Sequence, residues 1–371
     1  MRLRLLLLLA LALALLLIAQ ACDAQAAKNG LIVYVDLDAG GQSQVFTIMP
    51  DGSDKQQLTD TVGGHFFPAW SYDGKSIAFT SGRTGQPELW VMDADGAGST
   101  QLTFPPDSGN FIPSWSRDGT RIVFASNRTG HPEVWVMNAD GTGQVQLTTT
   151  TTESTTRNGD QIIWGIHGSF SPYGQKIVYA STESGRSQIW IMDADGSNPI
   201  QLTTPALANY PDANASVWSP DGTKIAFWSG FETEYGDLFV MDTDGGNRTQ
   251  LTFEAAPPGI SSDNPAWSPD GLQIMFDTNR SGSVETWVIN ANGSNPHQLF
   301  SFSWGLGRLP WQPVPALDIP IGGVTELPDV AVTPEATPDS SGGRTVVVAA
   351  VGAGVVALAG AAWYARRRSH R

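Results

Sequence analysis

The sequence predicts an all-β chain folded as a six-bladed β-propeller with four-stranded blades, followed by a C-terminal transmembrane helix. Three observations carry the propeller. First, a five-residue box with an aromatic, a serine and a closing glycine recurs: Trp70-Ser71-Tyr72-Asp73-Gly74, Trp115-Ser116-Arg117-Asp118-Gly119, Phe170-Ser171-Pro172-Tyr173-Gly174, Trp218-Ser219-Pro220-Asp221-Gly222 and Trp267-Ser268-Pro269-Asp270-Gly271. Seven residues after each aromatic stands Ile77, Ile122, Ile177, Ile225 or Ile274. Second, Asp-Gly or Asn-Gly recurs at Gly52, Gly96, Gly141, Gly196, Gly245 and Gly293, and six residues after each glycine comes Leu58, Leu102, Leu147, Leu202, Leu251 or Leu299. The period of 44 to 55 residues is that of a repeat architecture. Third, the two ends of the array complement each other. The first unit starts in its middle, at Leu31-Ile32-Val33-Tyr34, and the last, Trp311-Gln312-Pro313, begins a unit and stops. One blade is therefore expected to be shared between the N- and C-terminal ends, closing the ring.

Each unit reads as four strands. The box aromatic ends strand A. Lys75-Ser76-Ile77-Ala78-Phe79 and its equivalents form strand B, with period-2 alternation. Glu88-Leu89-Trp90-Val91-Met92 is strand C, and Gln101-Leu102-Thr103 is strand D. The Asp-Gly pairs at the A–B and C–D corners supply the left-handed backbone of tight hairpins. A four-stranded sheet cannot cover both of its faces, so the sheets must stack, and radial stacking gives a propeller. Aromatics at equivalent strand C positions (Phe46, Trp90, Trp135, Trp190, Phe239 and Trp287) are expected to fill the gaps between blades. The 13 tryptophans thus have a structural role that calls for no cofactor.

The Trp-Ser-Pro-Asp-Gly-x-Lys-Ile-Ala-Phe unit is followed by a Ser-x-Arg-x-Gly turn (Ser81 to Gly85, Ser126 to Gly130), by Trp-Val-Met-Asp-Ala-Asp-Gly and by Gln-Leu-Thr. It resembles the WD40-like repeat of the TolB propeller family, over about residues 30–315. The resemblance implies the fold. For function it implies either a periplasmic partner-binding protein or the propeller half of a serine peptidase. Gly-x-Ser-x-Gly is absent, which weakens the peptidase branch.

Residues 1–21 read as a signal peptide: Arg2 and Arg4, an apolar run from Leu5 to Ala19, and Ala19-Gln20-Ala21 as cleavage site. Cys22, the single cysteine, follows directly. It is either a lipidation site, as in bacterial lipoproteins, or a chance residue after ordinary cleavage. Residues 30–315 form the propeller. Residues 316–344 are a Pro-rich extracytoplasmic linker. Residues 345–365 are apolar and long enough to span a bilayer, and 366–371 form a basic tail, which places the C-terminus in the cytoplasm. The localisation expected is the cell membrane, with the propeller outside the cytoplasm. The net charge is −15; setting aside six arginines at the two ends leaves 15 basic against 36 acidic residues. That balance repels nucleic acid.

In a meander the D–A and B–C connections share one end of the ring, and the A–B and C–D turns share the other. The latter are nearly invariant and read as scaffold. The former vary most, with the longest segment at Thr149–Gly168. Residues about five positions before each aromatic break the repeat: His65, Asn110, His167, Asn214, Asp263 and, near the seam, Arg308. They are either a polar mouth for a protein or small-molecule partner, with Trp164 as its aromatic anchor, or solvated loop residues. Arg83, Arg128 and Arg280 read as solvated arginines of the B–C turns, and Asp93/Asp95, Asp193/Asp195 and Asp242/Asp244 as Asx turns rather than a metal site. Two functions compete: a non-catalytic binding or scaffold module, and an extracytoplasmic hydrolase or lyase using His65 and His167 as acid and base. No nucleophile or orienting carboxylate can be placed beside these histidines, which favours the binding module.

Overall fold

The computed structural model describes residues 30–104, 109–149, 166, 168–204, 212–231, 235–253, 260–301 and 310–313. All belong to the first of two compact units, Met1–Asp318. Cys22 and the expected leader, linker, span and tail lie outside the described residues. Among the described residues no helix is long and apolar enough to cross a membrane.

Six antiparallel sheets follow in chain order. Blade 1 holds β1 (Ile32–Leu37), β2 (Ser43–Ile48) and β3 (Gln56–Gln57). Blade 2 holds β4 (His65–Trp70), β5 (Ser76–Ser81), β6 (Glu88–Asp93) and β7 (Thr100–Gln101). Blade 3 holds β8 (Asn110–Trp115), β9 (Arg121–Ser126), β10 (Glu133–Asn138) and β11 (Val145–Gln146). Blade 4 holds β12 (Ser169–Phe170), β13 (Lys176–Ser181), β14 (Gln188–Asp193) and β15 (Ile200–Gln201). Blade 5 holds β16 (Asp212–Trp218), β17 (Lys224–Phe231), β18 (Tyr235–Asp242) and β19 (Thr249–Gln250). Blade 6 holds β20 (Ser262–Trp267), β21 (Gln273–Thr278), β22 (Glu285–Asn290) and β23 (His297–Ser301).

The box is a hydrogen-bonded corner. Ser71 Oγ donates to Asp73 Oδ1 (2.7 Å) and accepts from Ser76 N (2.9 Å), and the same arrangement recurs at Ser116, Ser219 and Ser268. The C–D corner is an Asx turn, in which Asp95 Oδ1 accepts from Ala97 N (3.0 Å). Its glycine has φ +89° and abuts the preceding blade: a Cβ on Gly96 would lie 2.7 Å from Leu58 O. This contact explains why Asp-Gly and the strand D leucine repeat in step.

Strand B departs from an apolar-in, polar-out pattern. Ile77, Ala78, Phe79, Thr80 and Ser81 are all fully buried, because both faces of the sheet are covered. The alternation is one of size. Ile77 and Phe79 pack with Val33 and Val45 of blade 1, while Ala78 packs with Ile122 and Phe124 of blade 3. Each of the six core clusters joins two adjacent blades in this way.

The ring closes through both ends of the repeat array. Trp311 forms an antiparallel bridge with Ile32. Val33 N donates to Pro310 O (3.2 Å) and Gln312 N to Leu31 O (2.7 Å). Gln312 Nε2 reaches across to Gly74 O of blade 2 (2.9 Å). Trp311 is buried in a cluster containing Ile32, Tyr34 and Phe46 of blade 1 and Ala266, Met275 and Val288 of blade 6. Residues 310–312 thus stand where blade 1 needs its innermost strand.

The strand C aromatics divide. Phe46 and Phe239 are buried, but Trp90, Trp135 and Trp287 are half-buried under arginines. Arg83, Arg128 and Arg280 lie 4.1, 4.5 and 4.2 Å from those three ring centroids. The expectation of freely solvated turn arginines is therefore corrected. In blades 2 and 3 the serine two residues before the arginine orients it, with Arg83 Nε donating to Ser81 Oγ and Arg128 Nε to Ser126 Oγ (3.0 Å each). The stack over an indole favours this ordered position.

Trp311→Ala should cost about 3–5 kcal/mol in equilibrium unfolding by denaturant, the range for truncating a buried tryptophan. A loss below about 1 kcal/mol would mean that the seam does not hold the ring.

Candidate functional site

Each of the innermost strands β4, β8, β16 and β20 carries a β-bulge, with register shifts between Phe66/Ala69, Phe111/Ser114, Asn214/Val217 and Asp263/Ala266. Phe67, Ile112, Ala215 and Asn264 there have φ of 51°, 56°, 53° and 54°. A left-handed conformation is unfavourable for non-glycine residues, most of all for a β-branched one such as Ile112. The bulge breaks the in–out phase of the strand. Beyond it, the strands and following turns line a central cavity of about 240 Å³. Its wall includes Trp70, Trp115, Phe170, Trp218, Trp267 and Trp311, one aromatic per blade, together with eight prolines. The cavity therefore opens toward the A–B end of the ring, opposite the expected mouth.

Before the bulge, the candidate residues fall at two register positions. His65 pairs with Ser81 and Asn110 with Ser126. Asn214 pairs with Trp228 and Asp263 with Asp277, one residue further along the strand. Successive strand residues point to opposite faces, so these four do not form one surface. His65 and Asn110 are fully buried, Asn214 is nearly so, and Asp263 is half-buried. Trp164, His167 and Arg308 lie outside the described residues.

Asn110 sits in an inter-blade hydrogen-bond network. Its Nδ2 donates to Glu88 Oε2 of blade 2 (2.8 Å), and its Oδ1 accepts from Arg128 Nη2 (2.7 Å). Thr103 Oγ1 also donates to Glu88. Between blades 1 and 2 the same positions carry Gln44, Thr59, His65 and Arg83. Thr59 Oγ1 donates to Gln44 Oε1 (2.7 Å), and His65 Nε2 meets Thr61 Oγ1 (3.0 Å) and Thr61 O (3.1 Å). His65 Nδ1 and Arg83 Nη2, both buried, have no protein partner. Burial, reinforced by Arg83, pushes His65 down to about 4, so the imidazole is neutral at physiological pH.

Blade 6 holds a second polar intrusion. Asp277 is 5% exposed and takes the place of Thr80 in blade 2 and Ala125 in blade 3. Its Oδ1 accepts from Thr286 Oγ1 (3.0 Å), whereas Oδ2 has no partner. Burial, with Asp263 opposite, raises Asp277 to about 7. Sequence reasoning passed over Asp277, although Phe276-Asp277-Thr278 breaks a series that reads Phe79-Thr80-Ser81, Phe124-Ala125-Ser126 and Tyr179-Ala180-Ser181. Among the described residues, no group of three His, Cys, Asp or Glu side chains could hold a metal ion.

The TolB β-propeller domain family matches residues 26–165 and 108–227, together more than half of the chain. The chain belongs to the TolB propeller family. A TolB homologue of Chlorobium luteolum is 32% identical over 69 residues, 19% of this chain and 16% of that protein. Dipeptidyl-peptidase 5 of Porphyromonas gingivalis is 46% identical over 46 residues, 12% of this chain and 7% of that protein. These matches span less than a fifth of the relatives' own lengths. The crystal structure of TolB from Acinetobacter baumannii superposes with a TM-score of 0.63 at 20% identity, covering 77% of this chain and 67% of that one. At that identity the likeness is one of fold.

Two substitutions test the polar layer of this TolB-like ring. Asp277 keeps its proton in the fold up to about pH 7, while an unfolded aspartate loses it near about 3.9. Its contribution to stability is therefore whole below pH 4 and declines as pH rises to 7. The depressed His65 acts in the opposite sense over an overlapping range, so the informative quantity is a difference. The melting temperature of Asp277→Asn minus that of wild type should grow from pH 4 to pH 7 and then level off; a pH-independent difference would refute the shifted carboxyl. His65→Asn gives blade 2 the side chain blade 3 uses to satisfy its arginine. It should add about 1 kcal/mol of stability by urea unfolding, the usual worth of a hydrogen bond.

Proposed function

We propose that this TolB-like propeller is a non-catalytic binding module, held on the extracytoplasmic side of the cell membrane by residues 345–365, that docks a protein partner on the D–A and B–C end of the ring. Cys22 is a second candidate anchor. The reading rests chiefly on exposed apolar side chains at that end. Val62, Phe104 and Phe253, all in the connections that follow strand D, are 76%, 61% and 77% exposed. Exposed aromatics raised on a rigid ring suit a protein interface better than solvent. At the opposite end, four A–B turns are closed by their own serine–aspartate hydrogen bonds, and the exposed apolar groups Tyr173 and Leu272 are part of the repeated box or directly follow it. Catalysis is disfavoured because His65 is buried with its Nε2 engaged by Thr61.

Photo-crosslinking residues placed at Phe104 and Phe253 of the full-length protein in its native envelope should capture the same partner, and one at Tyr173 should not. Phe104→Ser with Phe253→Ser should weaken that complex at least about tenfold, a loss of about 1.4 kcal/mol, with unchanged melting. Capture at Tyr173 alone would move the interface to the other end.

A further inference from the structure

The channel end opposite the proposed protein interface has the makings of a small-molecule site. Its cavity of about 240 Å³ is larger than the roughly 150 Å³ that accommodates benzene in an engineered protein core. It approaches the lower limit of about 300 Å³ for drug-sized pockets. In a chain carrying −15, a single lining residue is charged, and it is a cation, Arg117. Arg117 is exposed, stacks 4.5 Å from the centroid of Tyr72, and forms no ion pair with any described residue.

The indole N–H groups of the wall are turned into the ring, so the cavity presents mainly apolar ring faces. Trp115 Nε1 donates to Ala69 O and Trp218 Nε1 to Ser169 O, each at 3.2 Å, so two indoles are tied to the neighbouring blade. Trp70 and Trp311 are more than nine-tenths buried, and their Nε1 atoms have no acceptor. Around the rim, Asp73 and Asp118 flank Tyr72 and Arg117. Hydrogen bonds from Ser71 and Ser116 hold both carboxyls below the usual carboxylate range, so they stay ionised. This negative collar tolerates one compensated charge at Arg117 and repels a polyanion.

We infer that the A–B end of the channel binds an aromatic or alicyclic monocarboxylic acid, its ring in the proline- and tryptophan-lined cavity and its carboxylate on Arg117. The site is independent of protein binding at the far end. Full-length protein titrated calorimetrically with 1-naphthylacetate should bind one equivalent, about tenfold more tightly than neutral 1-naphthylacetamide, the worth of a charge-assisted contact. It should bind 1-naphthyl phosphate more weakly than the acetate. Arg117→Gln, an exposed change, should abolish the preference for the acid over the amide. Ser114→Phe, which fills the cavity, should remove binding of both. Equal affinity for acid and amide, tighter binding of the phosphate, a preference that survives Arg117→Gln, or heats absent for every probe would each overturn the assignment.

Discussion

A blade of this ring has two apolar faces and can cover neither by itself. Everything else follows from how neighbours cover them. The large side chains of one strand B (Ile77, Phe79) enter the gap toward the preceding blade, and the small one (Ala78) accepts the large side chains of the next. Glycines at the C–D corners of blades 2 to 5 (Gly96, Gly141, Gly196 and Gly245) let the blade's edge sit against the backbone of the one before. Because each contact is made with a neighbour, no blade is finished until the circle is. Trp311 joins the two blades that would otherwise be terminal.

The architecture was legible because the repeats constrain one another. The box serine and aspartate, the isoleucine seven residues on and the Asp-Gly before each strand D all occupy positions that the corners and inter-blade gaps require. Ring closure was legible for the same reason, as an incomplete first unit and an incomplete last one. The candidate site was less so. Counting back from the aromatic merged two positions, because no residue type announces the bulge at Phe67, Ile112, Ala215 and Asn264. The stacking of Arg83 and Arg128 is not legible in the sequence, because the indole beneath each lies across a hairpin. Arg117 was hidden in plain view as the variable residue of a repeated box.

The innermost layer of the ring shows how one hydrogen-bond frame is put to different uses. Between blades 2 and 3, Glu88 accepts from Thr103 and Asn110, and Asn110 in turn accepts from Arg128. Between blades 1 and 2 the acid is the neutral Gln44 and the amide is His65, and two buried nitrogens are left over. In blade 6 the frame admits an extra acid, Asp277, beside Asp263. Departures of this kind are tolerated because rigid neighbours hold the surroundings in place, and they give an otherwise symmetric ring chemically distinct sectors.

The seam also orders events during synthesis. Leu31 and Gln312 are hydrogen-bonded across 281 positions of sequence, so the first blade waits for nearly the whole propeller to be made. Such distant pairings form late and slowly, after shorter loops have closed. Until then the growing chain carries two uncovered edges, one at each end of an arc, and edges of that kind are where stray chains add strands. The last four residues of the ring, 310–313, thus act as the latch that turns an aggregation-prone arc into a closed, edge-protected circle.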